Sequence, residues 1–233
     1  MKYKKILKGI FLERPNRFVA KVLIDGKEET VHVKNTGRCR ELLLPRAKVI
    51  LEDCSDNPNR KTKYSLISVW KGDMLVNMDS QVPNAVVYQA LKENKIPEIT
   101  DLSKVRREVS FGNSRFDIYF ESENQKGFIE VKGVTLEHQG ISMFPDAPTE
   151  RGTKHILEMI LATKEGYRGI IFFLVQMKGP DLFRPHWEMD SKFSEALKLA
   201  KENGVEVLIY DSIVKDNSIE IGKPIELDLI TRP

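Results

Sequence analysis

The stretch from Ser114 to Thr135, SRFDIYFESENQKGFIEVKGVT, constrains this chain more than any other. It alternates with a period of two, so it predicts two short strands joined by a polar turn. Phe116, Ile118 and Phe120 share one face of the first strand, and Arg115, Asp117 and Tyr119 the other. On the second strand Ile129 and Val131 oppose Phe128, Glu130 and Lys132. With Glu121 to Lys126 as the loop and Phe120 paired with Gly127, Asp117 falls directly across from Glu130, with Cα atoms roughly 4.5 to 5.5 Å apart. A slip of one residue would turn one strand's aliphatic set outward, which favours this parity. Two opposed carboxylates repel, so they call for a shared proton or a cation, and Lys132 adds a base on the same face. Oxygen ligands of this kind suit Mg²⁺ or Mn²⁺ and the hydrolysis of a phosphodiester. The same charges also fit a second arrangement, diagonal ion pairs of Arg115, Asp117, Glu130 and Lys132 on a solvated sheet face.

The remainder of the chain sets the frame for that hairpin. Its 233 residues, 41% of them hydrophobic, can bury a sizeable core and form one large or two small domains. Cys39 and Cys54 are the only cysteines and have no metal-ligand spacing. Without a secretory segment or a membrane-length apolar run, the expected location is a reducing cytoplasm. Charge is divided unevenly. Through Gly72 there are 17 Lys and Arg against 8 Asp and Glu, and from Asp73 onward 20 against 26. A basic first third beside an acidic remainder suits a module that grips a polyanion next to one whose acids hold a metal, although a lysine-rich solvated surface produces the same count.

Residues 1–80 read as short strands punctuated by turns: Ile6 to Glu13, Phe18 to Ile24, Glu28 to Val33, Lys48 to Glu52, Tyr64 to Trp70 and Met74 to Asn77. Asp25-Gly26 is a hairpin signal. Five or six such strands suit a small closed β-barrel of the oligonucleotide-binding (OB) type, with an open sheet as the alternative. Its connections carry Arg38 and Arg40, then Arg60, Lys61 and Lys63, which could reach phosphates. The pattern changes near Gln81 to Asn84, and residues 81–233 read as a second, mixed α/β domain. Pro83-Asn84 opens a helix with an apolar stripe at Val86, Val87, Ala90 and Leu91, and a strand from Val105 to Phe111 leads into the hairpin. After Thr135 comes a loop, then a helix capped by Asp146 or Thr149 with a stripe at Ile156, Met159, Ile160 and Thr163. Ile170 to Gln176 reads as a strand buried on both faces. A helix marked by Phe193, Ala196, Leu197 and Ala200 ends at Gly204, before a strand from Val205 to Tyr210. His32, His138, His155 and His186 show no metal-ligand spacing and read as ordinary hydrogen-bonding side chains. No phosphate-cradling glycine repeat or hydrolase nucleophile setting is found.

Over nearly its whole length the chain resembles the sugar fermentation stimulation protein (SfsA) family. The resemblance is carried by NTGR from Asn35, DNPNRKTKY from Asp56, VPN from Val82, SRFD from Ser114, IEVKGVTL from Ile129, FPDAPTERGTKH from Phe144 and GVEVL from Gly204. It implies an OB-fold-like N-terminal barrel followed by a restriction-endonuclease-like domain of the PD-(D/E)xK type. The motif falls on Asp117, Glu130 and Lys132, the residues chosen by the hairpin argument. The two acids would hold Mg²⁺ or Mn²⁺, and the lysine would stabilise the attacked phosphate or orient the water. Two departures stand out. Phe116 replaces the motif's Pro, and Gln89 stands where related sequences often carry Glu, which leaves Glu93 as an alternative third carboxylate. Glu150, Arg151 and Lys154 match a family stretch and could contact the metal water or phosphate, or could form a helix salt-bridge ladder. The implied partner is DNA, with RNA as a second polyanion and no membrane. Oligomeric state is open, a homodimer included. The expected function is a DNA-binding, Mg-dependent nuclease. The alternatives are a DNA-binding regulator of sugar-utilisation genes with an idle nuclease-like site, and a plain interaction module with a charged sheet.

Overall fold

The computed structural model describes residues 1–35 and 37–229. Six strands open the chain: β1 (Ile6–Asn16), β2 (Val19–Ile24), β3 (Lys27–Val33), β4 (Lys48–Asp53), β5 (Tyr64–Lys71) and β6 (Met74–Asn77). They pair in the order β3-β2-β1-β4-β5-β6, and a parallel pairing of β3 with β5, His32 to Ser65 and Val33 to Leu66, closes the first five into a barrel. Asp25 and Gly26 both have positive φ, 48° and 79°, as the tight turn between β2 and β3 requires. Inward residues such as Val22, Val31, Leu51, Leu66 and Val69 are fully buried.

The second region runs α1 (Val82–Lys92), β7 (Leu102–Phe111), β8 (Ser114–Ser122), β9 (Lys126–Val134), β10 (Leu136–His138), β11 (Ile141–Phe144), α2 (Glu150–Lys164), β12 (Arg168–Val175), β13 (Leu182–Pro185), α3 (Ser191–Glu202), β14 (Glu206–Lys215), β15 (Ser218–Pro224) and β16 (Glu226–Leu227). Its main sheet has the order β15-β14-β12-β9-β8-β7, with β9, β12 and β14 parallel at the centre. On β12, Ile170, Phe172 and Leu174 pack with α1, while Ile171, Phe173 and Val175 pack with α2 and α3, so the strand is buried on both faces as its composition predicts. Thr149, not Asp146, caps α2: its hydroxyl accepts from the Gly152 amide at 3.1 Å. The loop expected after Thr135 contains β10 and β11, which form a small second sheet with β13 and β16. Strands of two to four residues are too short to leave an alternation in the sequence.

The two regions are tied together by polar bonds as well as shared core. Gln176, at the end of β12, donates its amide to the carbonyls of Asn77 and Asp79 and to the Asn77 side chain, at 3.0 to 3.1 Å. Gly133 must be glycine there, because a Cβ would collide with the Gln176 amide and the Pro83 ring. The first residues cross over as well, Met1 and Tyr3 pairing with Ile219 and Asn217. Both cysteines are free, and burial first, then Asp146, pushes the Cys39 thiol up to about 12. Among the described residues no helix is long and apolar enough to cross a membrane.

Candidate active site

The β8–β9 register is the one expected: Phe120 opposes Gly127, Tyr119 opposes Phe128 and Ile118 opposes Ile129. The ladder stops there, one pair short of Asp117 and Glu130. Asp117 replaces the missing main-chain partner with its own carboxylate, Oδ2 accepting from the Val131 amide at 2.8 Å and Oδ1 from Asn84 Nδ2 at 2.6 Å. Asn84 lies in the first turn of α1, so the helix that covers one face of the sheet also fixes the acid. The departure from regular pairing reaches the neighbours. Glu108 on β7 takes φ +56°, and Phe116 does not share a face with Ile118 and Phe120 as simple alternation predicts. It packs with Phe128, ring centroids 5.2 Å apart, and edge-on to His155, whereas Ile118 and Phe120 join the α1 side.

Glu130 is 3% exposed. Its Oε1 accepts from Lys132 Nζ at 2.6 Å and from His155 Nδ1, while Oε2 is buried with no hydrogen-bond partner among the described residues. His155 sits on α2, and Arg151 Nε donates to its Nε2 at 3.5 Å, which places the ring proton on Nδ1, facing Glu130. Burial drives the Glu130 carboxyl upward, but the bonds from His155 and Lys132 outweigh it and hold the group below its ordinary value. Asp117 goes the other way, raised by burial and then by the charge of Glu130, against the bonds from Val131 and Asn84. The solvated-face alternative does not survive this geometry, since α2 covers the face that carries Phe128 and Glu130, and Arg115 pairs instead with Glu108 at 3.5 Å.

The other residues singled out by the sequence are dispersed. Glu93 lies nine residues along α1 from Asn84, roughly 13 Å at helical rise. It is held by Gln89 at 2.6 Å and Lys95 at 2.7 Å, so the structure does not bring it to the acid pair. Glu150 opens α2 and is exposed. Arg151 and Lys154 are engaged by His155 and by the Asn113 carbonyl, not by a ladder along the helix. Arg38 and Arg40 are exposed on a loop whose carbonyls at Asn35, Gly37 and Arg38 all accept from Arg14. Lys61 and Lys63 are exposed, but Arg60 is tied down, donating to Ser65 Oγ at 2.6 Å and the Thr62 carbonyl at 3.3 Å. Two site residues escaped sequence reasoning, Asn84 and His155. Asn84 closes the VPN triplet, and His155 ends FPDAPTERGTKH in register with the apolar stripe of α2.

The donor set suits a hard divalent cation. Among the described residues no three His, Cys, Asp or Glu groups gather around one point, but Mg²⁺ commonly takes only one or two carboxylates and completes its shell with water and phosphate oxygens. A buried carboxylate oxygen without a protein partner, next to a second carboxylate that its charge perturbs, has the unmet bonding capacity that such a cation would satisfy.

Residues 12–78 match the family model described as the SfsA N-terminal OB domain, and residues 81–218 match the sugar fermentation stimulation protein RE domain. A sugar fermentation stimulation protein homolog from Alkaliphilus oremlandii is 67% identical over 232 residues, 98% of this chain and 99% of that one. The chain belongs to the sugar fermentation stimulation protein family. An SfsA-family homolog from Clostridium novyi is 54% identical over 98% of this chain and 100% of its own. The solved structure of Pyrococcus furiosus SfsA in complex with Ca²⁺ superposes with a TM-score of 0.89 over 98% of both chains, at 28% identity. The two-part architecture, an OB barrel followed by an α/β restriction-endonuclease-like domain, is therefore that of SfsA proteins.

Proposed function

We propose that this chain is a metal-dependent nuclease that binds DNA and hydrolyses its phosphodiester bonds at Asp117, Glu130 and Lys132. The observation that carries the proposal is the buried Oε2 of Glu130, which has no partner among the described residues and lies beside a second, perturbed carboxylate. Asp117 and Glu130 would hold Mg²⁺ or Mn²⁺, and the cation would supply Lewis-acid neutralisation of phosphate charge. The Ca²⁺ complex of the P. furiosus relative supports a hard, oxygen-seeking metal.

The chain's own residues divide the remaining work. His155 and Lys132 both bond Oε1 of Glu130, which leaves Oε2 as the oxygen free to act. Asn84 and the Val131 amide fix both oxygens of Asp117, so neither acid must be reoriented when substrate arrives. Lys132, only partly buried, sets its Nζ beside Glu130, where it would meet the negative charge that grows on an attacked phosphate. The OB barrel, with Arg38, Arg40, Lys61 and Lys63 exposed, would supply contacts to the phosphate backbone. Metal-stripped protein incubated with single- and double-stranded DNA and RNA, in EDTA and with Mg²⁺ or Mn²⁺, tests the proposal. Cleavage that requires metal and is lost in Glu130→Gln supports it. DNA binding without cleavage under any condition would leave a binding protein with an idle site and overturn the enzymatic assignment.

A further inference from the structure

A hollow with no role in the site above lies on the outer face of the barrel, at the end of β4 and β5 opposite the basic loop that carries Arg60, Lys61 and Lys63. It has a volume of about 650 Å³ and is lined by Lys8, Ile10, Leu23, Lys48, Trp70 and Asp73 among others. The strand register explains how it forms. Ile10 pairs with Leu23 on one side and Lys48 on the other, and the pairing of Val49 with Val69 sets Lys48 against Trp70. Leu23, Ile10, Lys48 and Trp70 thus form one row across four strands. At roughly 4.8 Å per strand the row spans about 14 Å, the rise of about four stacked bases. A second hollow of about 580 Å³ begins on the far side, shares Trp70 and Asp73 with the first, and is lined beyond them by Lys178 and Gly179 of the α/β domain. Trp70 is half-buried and borders both.

We propose that this double hollow is a track for single-stranded nucleic acid, in which unpaired bases stack on Trp70 and the phosphates follow Lys8, Lys48 and Lys178. The track rests on the nucleic-acid reading above and adds to it a substrate form and a second contact surface. An aromatic ring shared by adjoining hollows offers stacking only to bases not already stacked in a duplex, and such contacts are tolerant of sequence. Lys48 in the middle of the row excludes an apolar protein face as the occupant, since docking would bury its charge. Lys8 pairs with the half-buried Asp216, at 3.2 Å, yet its own side chain is 77% exposed, so its charge remains available to a polyanion. Asp25 and Asp73 also line the first hollow, and a carboxylate there can accept from the exocyclic amino group of a base. Gly26 and Gly72, both at positive φ with open space where a Cβ would stand, let a ligand approach the turns closely.

The chain has two tryptophans, so Trp187→Phe leaves Trp70 as the sole indole reporter. In EDTA, titration of this variant with unlabelled (dT)₁₂ is expected to change Trp70 emission saturably. By anisotropy of a labelled (dT)₁₂, Trp70→Ala in the otherwise wild-type chain is expected to lower affinity roughly ten- to a hundred-fold, and Lys48→Glu to lower it further at low salt than at high salt. Circular dichroism confirms that each variant is folded, and Lys48→Glu, on an exposed side chain, stands in should Trp70→Ala fail to fold. Saturable (dT)₁₂ binding with unchanged Trp70 emission and unaltered affinity in both variants overturns the track and leaves the nuclease proposal standing. Equal quenching by thymidine monophosphate at matched nucleotide concentration overturns the polymer claim. Absence of binding to any single-stranded or duplex nucleic acid overturns the track together with the reading on which it rests.

Discussion

Replacing Asp117 by Asn should stabilise the metal-free protein and abolish its response to metal. The charge of Glu130 repels that of Asp117, and for scale two ionised carboxylates taken at about 5 Å repel by about 3 kcal/mol at an effective dielectric constant of about 20. Asp117 recovers part of this through bonds from Asn84 and the Val131 amide. Each is worth about 1 kcal/mol more to a carboxylate than to a neutral amide. Asn84 can flip its own amide to satisfy the new side chain, so the net gain for Asn is about 1 kcal/mol. In a chain of this size that is a rise in Tm of about 2 to 4 °C in EDTA. The sign agrees with the direction in which burial and Glu130 move the Asp117 carboxyl. Its folded value lies above the ordinary 3.8, so the stability linked to its proton is complete below that value and lost as pH rises through the folded one. The advantage of Asn should therefore vanish in acid and be full at neutral pH. Wild type with Mn²⁺ at a hundred times its Kd should gain about 2.7 kcal/mol, and Asp117→Asn should gain almost nothing. Melting curves of both proteins, each in EDTA and in Mn²⁺ across pH, decide the matter. A mutant less stable than wild type in EDTA, beside a wild type indifferent to metal, would refute the argument.

Lys132→Met should cut turnover by roughly two to three orders of magnitude while leaving DNA affinity within a few-fold, since its charge meets one that develops only during reaction; single-turnover and binding measurements separate the two. His155→Ala strips Glu130 of a buried partner and opens a void beside Phe116, and urea unfolding should show a loss of about 2 to 4 kcal/mol with an unchanged slope. Gln176→Leu leaves the carbonyls of Asn77 and Asp79 buried without that donor, at a cost of about 2 to 4 kcal/mol, seen as a lowered urea midpoint. Reversing Arg38, Arg40, Lys61 and Lys63 should flatten log affinity against log salt by about one unit for each phosphate these side chains no longer neutralise, and an unchanged slope would exclude these loops from the DNA interface.

Much of the fold was legible because it depends on local patterns. The barrel strands declared themselves by β-branched runs and by Asp25-Gly26, and β12 by an unbroken apolar run only a central parallel strand tolerates. The register of β8 on β9 followed from a short polar loop and period-two alternation. Alternation misled at Phe116, because it assumes a continuous ladder. At Asp117 the ladder gives way to a side chain taking the Val131 amide, and the residue before it turns to the opposite face. Strands β10, β11, β13 and β16 lie outside periodic reasoning altogether, since each is held by the small sheet it joins and not by an amphipathic face of its own.

The candidate site was half legible for a different reason. A hairpin can show which acids oppose each other but not what covers them, and the covering decides between a metal centre and a decorated surface. Asn84 and His155 arrive from α1 and α2, on opposite faces of the sheet, and neither carries a spacing that refers to Asp117 or Glu130. One residue in the hairpin nevertheless spoke to the choice. Phe128 shares its face with Glu130 and Lys132, and a solvated face would leave that ring in water; it is 3% exposed, as is Glu130. Something apolar had to lie over both. The helix with Ile156, Met159 and Ile160 is the helix in the connection from β9 to the parallel strand β12, where a crossover helix must pack back on the sheet. His155 stands four residues before Met159, on the face of that helix turned toward the sheet. A histidine on the buried face of the helix that covers a glutamate is therefore placed by topology to meet it, and the contact between His155 and Glu130 is the result.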